Sequence, residues 1–151
     1  LRFLCMPDRI RAGFEYRAPK PFAVGQKKNA AGEPVLLVAN KAFEKLFGLV
    51  PEGGLPLRQL LGPATKAMDR DRLLESISGD GERDVGSLLL YGKSQEERRT
   101  AGAVEARVQI VSLKSSTGYG TFFSMRLESV KAADHEYVRH CRLTNEWLEH
   151  E

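Results

Sequence analysis

Cysteine is scarce in this sequence of 151 residues, with 2 in all: Cys5 near the start and Cys141 near the end. They form no CxxC pair and have no metal-ligand spacing, which argues against a thiol-ligated metal and a small disulfide scaffold. Two reduced thiols in an intracellular, cytoplasmic protein is the expected state, the other possibility being a bridge that ties the two flanks together. Long apolar runs are missing too. None approaches the roughly 20 residues needed to cross a bilayer, so no membrane partner is expected. Clustered charge is also lacking. The net charge is +3, and the only local concentrations are Lys27-Lys28 and Arg98-Arg99, the second preceded by Glu96-Glu97. A nucleic-acid face needs a basic patch with aromatic interleaving, so no nucleic-acid partner is expected. No carboxylate pair, nucleophile–base couple, GxGxxG or P-loop order is present. Gly92, Gly102, Gly118 and Gly120 read as turn glycines, and catalysis is not expected.

The chain is 42% hydrophobic and 28% charged, enough to bury a core in one domain with flanking segments. A chain that starts at Leu1 is expected to be trimmed from a longer protein. Its organising stretch is Pro34 to Gly48. Val35 to Val38 form a short apolar run that reads as a buried strand. Asn40 supplies a helix N-cap, Phe43, Leu46 and Phe47 follow at helical spacing, and Gly48 suits the C′ position.

Before it, residues 1–20 read as a flank. Phe3, Leu4, Ile10 and Phe14 are its apolar residues, in an amphipathic helix that packs on the domain or on a second chain. Phe22 to Val24 reads as a first strand and Lys27 to Gly32 as the turn of a hairpin with the Pro34–Val38 strand. Pro51 to Pro56 is a loop by composition, and Leu57, Leu60 and Leu61 make a helical turn stopped at Gly62-Pro63. Thr65 is the expected N-cap of a helix from Lys66 to Ser78, with Met68, Leu73, Leu74 and Ile77 on its buried stripe. Three strands follow, at Val85–Tyr91, Val104–Leu113 and Tyr119–Val130, with a hairpin turn at Ser115 to Gly118. Val104, Ala106, Val108 and Ile110 alternate with polar residues, the pattern of a half-buried antiparallel strand. The terminal segment, Ala132 to Glu151, reads as a helix with Tyr137, Val138, Cys141, Thr144 and Leu148 on one face and Trp147 beside it. This order predicts an α+β fold: one antiparallel sheet with helices on one face.

With these segments in order, the chain resembles the PAS superfamily, and within it the light-oxygen-voltage (LOV) branch. The VANKAF segment, Val38 to Phe43, is similar to that family's junction between its second strand and the following helix. The LRQLLGPAT segment, Leu57 to Thr65, resembles the stretch that carries the flavin-reactive cysteine followed by an arginine. The two long strands match the last two PAS strands. The resemblance covers about residues 21–130. It implies a five-stranded antiparallel sheet and leaves outside it an N-terminal flank or cap over residues 1–20 and a C-terminal helical flank over residues 131–151. It also implies a sensory or regulatory role.

The family's flavin chemistry does not carry over. Leu57 stands where the reactive cysteine precedes Arg58, and Leu90 and Ala106 fall where asparagines would bond the flavin ring. Met125 or Arg126 replaces the glutamine of the last strand. Each lost hydrogen bond is worth on the order of 1 kcal/mol. No cofactor is therefore expected, with FMN or another small ligand as the alternative. Leu57, Arg58, Leu90, Ala106, Val108 and Met125 line either a filled core or an atypical pocket, the filled core being preferred because interiors close-pack. Arg126 is expected to face outward, so that Phe123, Met125 and Leu127 face in. His135, His140 and His150 read as solvated positions, with a pH-responsive flank as the alternative.

The remaining candidate surface is the outside of the sheet with both flanks. It is made of Val111, Leu113 and Phe122 together with Phe3, Leu4, Ile10, Phe14, Tyr137, Val138, Cys141 and Leu148. It would serve a homodimer or an effector domain of the parent protein; otherwise the flanks merely cover their own sheet.

Overall fold

A computed structural model of the chain describes residues 20–92, 103–113 and 121–149. The expectations for Phe3, Leu4, Ile10, Phe14, Cys5, His150 and the turn at Ser115 to Gly118 lie outside the described residues. The elements are strand β1 (Phe22–Gln26), strand β2 (Val35–Ala39), helix α1 (Lys41–Phe47), strand β3 (Leu55–Pro56) and a short 3-10 helix (Leu57–Leu60). Helix α2 (Ala67–Ser78), strands β4 (Glu82–Tyr91), β5 (Ala103–Leu113) and β6 (Phe122–Ala132), and helix α3 (His135–Glu149) complete it. The strands form one antiparallel sheet in the order β3-β2-β1-β6-β5-β4.

The organising stretch folds for the reasons its residues give. The Asn40 side-chain oxygen accepts from the Phe43 amide at 3.0 Å, which caps α1. At the other end Gly48 takes a left-handed conformation (φ 64°), and its amide donates to the Glu44 carbonyl at 2.8 Å. Asn40 also ties the hairpin together: its oxygen accepts from the Phe22 amide at 3.1 Å, and its Nδ2 donates to the Lys20 carbonyl at 2.9 Å.

Alternation along the strands divides the sheet into two faces. Ala23, Leu36, Leu88, Leu90, Ala106, Val108, Ile110, Phe123, Met125 and Leu127 point inward. They pack with Phe43 and Phe47 of α1, Leu57 and Leu60 of the 3-10 helix, and Leu73 and Ile77 of α2. A smaller cluster forms on the outer face at the β4 edge, where Val138 and Cys141 of α3 cover Leu89, Tyr91 and Ala103 beside Ala64. Asn145 extends that docking by donating to the carbonyls of Pro63 (2.8 Å) and Thr65 (3.0 Å).

Several expectations are corrected. Among the described residues the sheet has six strands, because Leu55-Pro56, read as loop, pairs with Leu36 and Val35. Thr65 does not cap α2: it is buried, donates to the Leu89 carbonyl at 2.8 Å and accepts from the Gly62 amide at 3.1 Å. Lys66 takes the cap position with no side-chain bond. Met68 is 79% exposed and Leu74 is also exposed, because Leu73 and Ile77 alone fill the space between α2 and the sheet. In α3, Tyr137 and Leu148 are exposed and Asn145 joins Val138 and Cys141 on the docked side.

Candidate functional site

Three places on the fold could do chemistry or bind a partner, and each collects a different set of residues. The first is the core beneath the long strands. Leu57, Leu90, Ala106, Val108 and Met125 converge there and are buried in one continuous apolar cluster. Arg58 does not join them. It points out of the fold, where its Nε donates to Glu33 Oε2 at 3.0 Å, because an unpaired guanidinium is costly to bury. Among the described residues no buried side-chain nitrogen or oxygen lacks a hydrogen-bond partner. The core thus presents no polar atom waiting for a ligand.

The second place is the outer sheet face, which has two halves. Towards β4 it is ionic. Arg107 on β5 is paired with Asp84 on β4, and Lys131 on β6 stands 3.7 Å from Glu105 on β5. The hydrogen bond from Arg107 holds the Asp84 carboxyl below the ordinary aspartate value, and the Gly86 amide at 3.0 Å adds to the effect. The Asp84 carboxylate in turn raises the Arg107 guanidinium. Towards β1 the face is apolar. Register places Val24 beside Val38 and Ser124, Ser124 beside Val111, and Phe122 beside Leu113 and Gln26. Val111 and Phe122 are half-buried and Leu113 is buried. Arg126 also lies on this face, across from Gln109 and Phe22. Val138 and Cys141 are taken up in the chain's own packing, which removes them from the surface open to a partner. Tyr137 remains at the edge of that packing, with the Lys66 ammonium 5.8 Å from its ring centroid. Burial pushes its hydroxyl up, and the Cys141 thiol adds to the shift.

The third place is a surface groove of about 440 Å³ between the β1–β2 turn, the 3-10 helix and α2. Pro34, Leu61, Leu74 and Ile77 form its apolar part, and Lys27, Lys28, Arg58 and Arg70 its basic part. Of the sequence-derived candidates only Arg58 lies here. Sequence reasoning missed the others because they come from three separated segments, and the one visible signal was the Lys27-Lys28 pair. Among the described residues no group of His, Cys, Asp and Glu side chains could hold a metal ion, and no helix is long and apolar enough to cross a membrane.

No family model and no curated protein matches the chain. Solved structures do. A light-oxygen-voltage domain from a study with a flavin analogue superposes with a TM-score of 0.64 at 17% identity, over 97% of this chain and 98% of that one. The PAS domain of the fruit-fly ELK potassium channel gives 0.63 at 18% identity, over 80% and 94%. The light-oxygen-voltage domain of the blue-light photoreceptor Aureochrome1, in its dark state, gives 0.60 at 18% identity, over 95% and 96%. The chain therefore has the PAS fold.

Two of these neighbours are light-oxygen-voltage domains, which raises the question of flavin, and the residues present do not fit it. A flavin ring needs amide partners along its edge, yet Leu90, Ala106 and Met125 offer none. Leu57 leaves no thiol before Arg58, and all four side chains are already buried against one another and their neighbours in the core.

Proposed function

We propose that this chain is a non-catalytic sensory or regulatory module that works by assembling with another protein surface. The partner is a second copy, bound through the outer sheet face and the flanks, or an effector domain of a longer parent protein. The observation that carries the reading is the apolar half of the outer face, where the half-buried Val111, Phe122 and Val38 lie beside the buried Val24, Leu113 and Ser124, with Gln26, Gln109 and Arg126 as polar neighbours. In this reading residues 1–20 act as a cap that contributes Phe3, Leu4, Ile10 and Phe14, and residues 131–151 form the second flank with Tyr137 and Leu148.

Size-exclusion chromatography with light scattering, on the chain with and without residues 1–20, tests the proposal. A dimer, or a complex with the effector domain, is expected, and Val111→Asp is expected to weaken it. A strict monomer in both forms, with no affinity for the rest of the parent protein, overturns it. A sensor holding FMN or another small ligand is the second reading, favoured by the existence of a groove of about 440 Å³. An absorption spectrum tests the flavin form of that reading, because bound flavin is coloured, and a small molecule released on denaturation would reveal a colourless ligand.

A further inference from the structure

The surface groove and the last turn of α3 carry opposite imbalances. Four basic side chains line the groove, with Glu33 as the acid among them. Glu33 engages Arg58, while Lys27 donates to the Gly79 carbonyl at 3.0 Å and stands 4.0 Å from Asp80. Lys28 and Arg70 are exposed, and no ion pair joins either of them to another described residue. Arg70, Leu74, Ile77 and Ser78 lie along one side of α2, so the groove follows the helix for about 12 Å at 1.5 Å per residue. Its apolar floor and cationic rim suit a partner that brings an apolar side chain flanked by carboxylates.

The last turn of α3 has that composition. Glu146 and Glu149 bracket Trp147 and Leu148, which are 62% and 55% exposed, and the turn contains no basic residue. Carboxylates at a helix C-terminus add to the negative end of its macrodipole, an arrangement that a cationic surface relieves. The Trp147 indole can cover an apolar floor and also take a guanidinium on its face. Within its own chain α3 is docked through Val138, Cys141 and Asn145, which leaves the Trp147–Leu148 end unused.

We propose that the last turn of α3 in one copy docks in the basic groove of a second copy. Trp147 and Leu148 cover Leu61 and Leu74, and Glu146 and Glu149 face Lys28 and Arg70. The contact is heterologous, joining two different patches, and is separate from the sheet-face contact proposed above. The experiment uses the full chain carrying Val111→Asp, which silences the sheet face, in sedimentation velocity over a concentration series. In that background the chain is expected to self-associate, less so at high salt. A groove variant (Lys28→Glu with Arg70→Glu) and a tail variant (Trp147→Ala with Leu148→Ala) are each expected to lose about tenfold or more in self-affinity. Mixed together they are expected to form a one-to-one complex, because one supplies an intact helix end and the other an intact groove. All four residues are exposed, and circular dichroism checks that each variant remains folded. A background chain that stays monomeric overturns the proposal and leaves the groove to some other acidic partner. Variants that associate as the background does, or a mixture that stays dissociated, also overturn it.

Discussion

Asn40 does more than its position on one helix suggests. Its single side chain caps α1 through the Phe43 amide, holds the Phe22 amide of β1, and donates to the Lys20 carbonyl. It is buried, so its removal leaves backbone groups unsatisfied where water cannot replace it. Asn40→Ala is expected to cost about 2 kcal/mol in urea unfolding, and Asn40→Asp less, because the aspartate keeps both accepted bonds and loses the donated one. The capping role was legible in the sequence because it acts over three residues. The bonds to Phe22 and Lys20 were not, since they depend on where the hairpin lands. The Asp84–Arg107 pair is a residue-scale feature of another kind, exposed and without a structural fallback. The folded carboxyl is lowered, so its contribution to stability is present above the ordinary aspartate pKa of about 3.9 and is lost as pH falls below that value through the lowered one. Thermal denaturation between pH 2 and 6 is expected to fall less steeply on the acid side for Asp84→Asn than for the unmodified chain.

Among the elements, α3 and the segment before α2 depend on one another. The Tyr91 hydroxyl accepts from the Ala64 amide at 3.2 Å, Thr65 bonds Leu89, and Asn145 on α3 reaches back to the carbonyls of Pro63 and Thr65. Gly62 lies so close to the Tyr91 ring that a methyl group there would overlap it, and the ring is buried and cannot swing clear. Gly62→Ala is therefore expected to cost about 1–3 kcal/mol. Hydrogen exchange of α3 should rise with it if the helix and this segment share one docking unit. The helices and long strands were legible because their periods are local properties of the chain. The buried stripe of α2 was legible only in part: Met68 and Leu74 fit the period, yet the space above the sheet admits only Leu73 and Ile77. Leu55-Pro56 was not legible as a strand, because two residues carry no period and their pairing is set by β2.

At the scale of the whole molecule, the fold separates an apolar inner face, packed beneath the helices, from an outer face that is half ionic and half apolar. The inner positions could be read from the sequence because Leu57, Leu90, Ala106 and Met125 are apolar residues within a recognisable order of elements. Arg58 could not be placed, since whether a guanidinium enters a core or pairs on the surface depends on Glu33, which is distant in sequence. The basic groove was not legible either, because three segments must meet before it exists. A filled core and a vacated pocket make opposite predictions for one substitution. Leu90 is fully buried on β4 across from Val104, in the cluster that holds Leu57, Ala106 and Met125. If these side chains pack against one another, Leu90→Ala opens a new cavity and should cost about 3–4 kcal/mol in urea unfolding. If they border a ligand space, the leucine has already lost part of its contacts and its truncation should cost about 1 kcal/mol or less. The filled core predicts the larger loss, with no recovery on addition of FMN. A small loss, or a rise in stability with FMN, would return the function to the interior of the sheet.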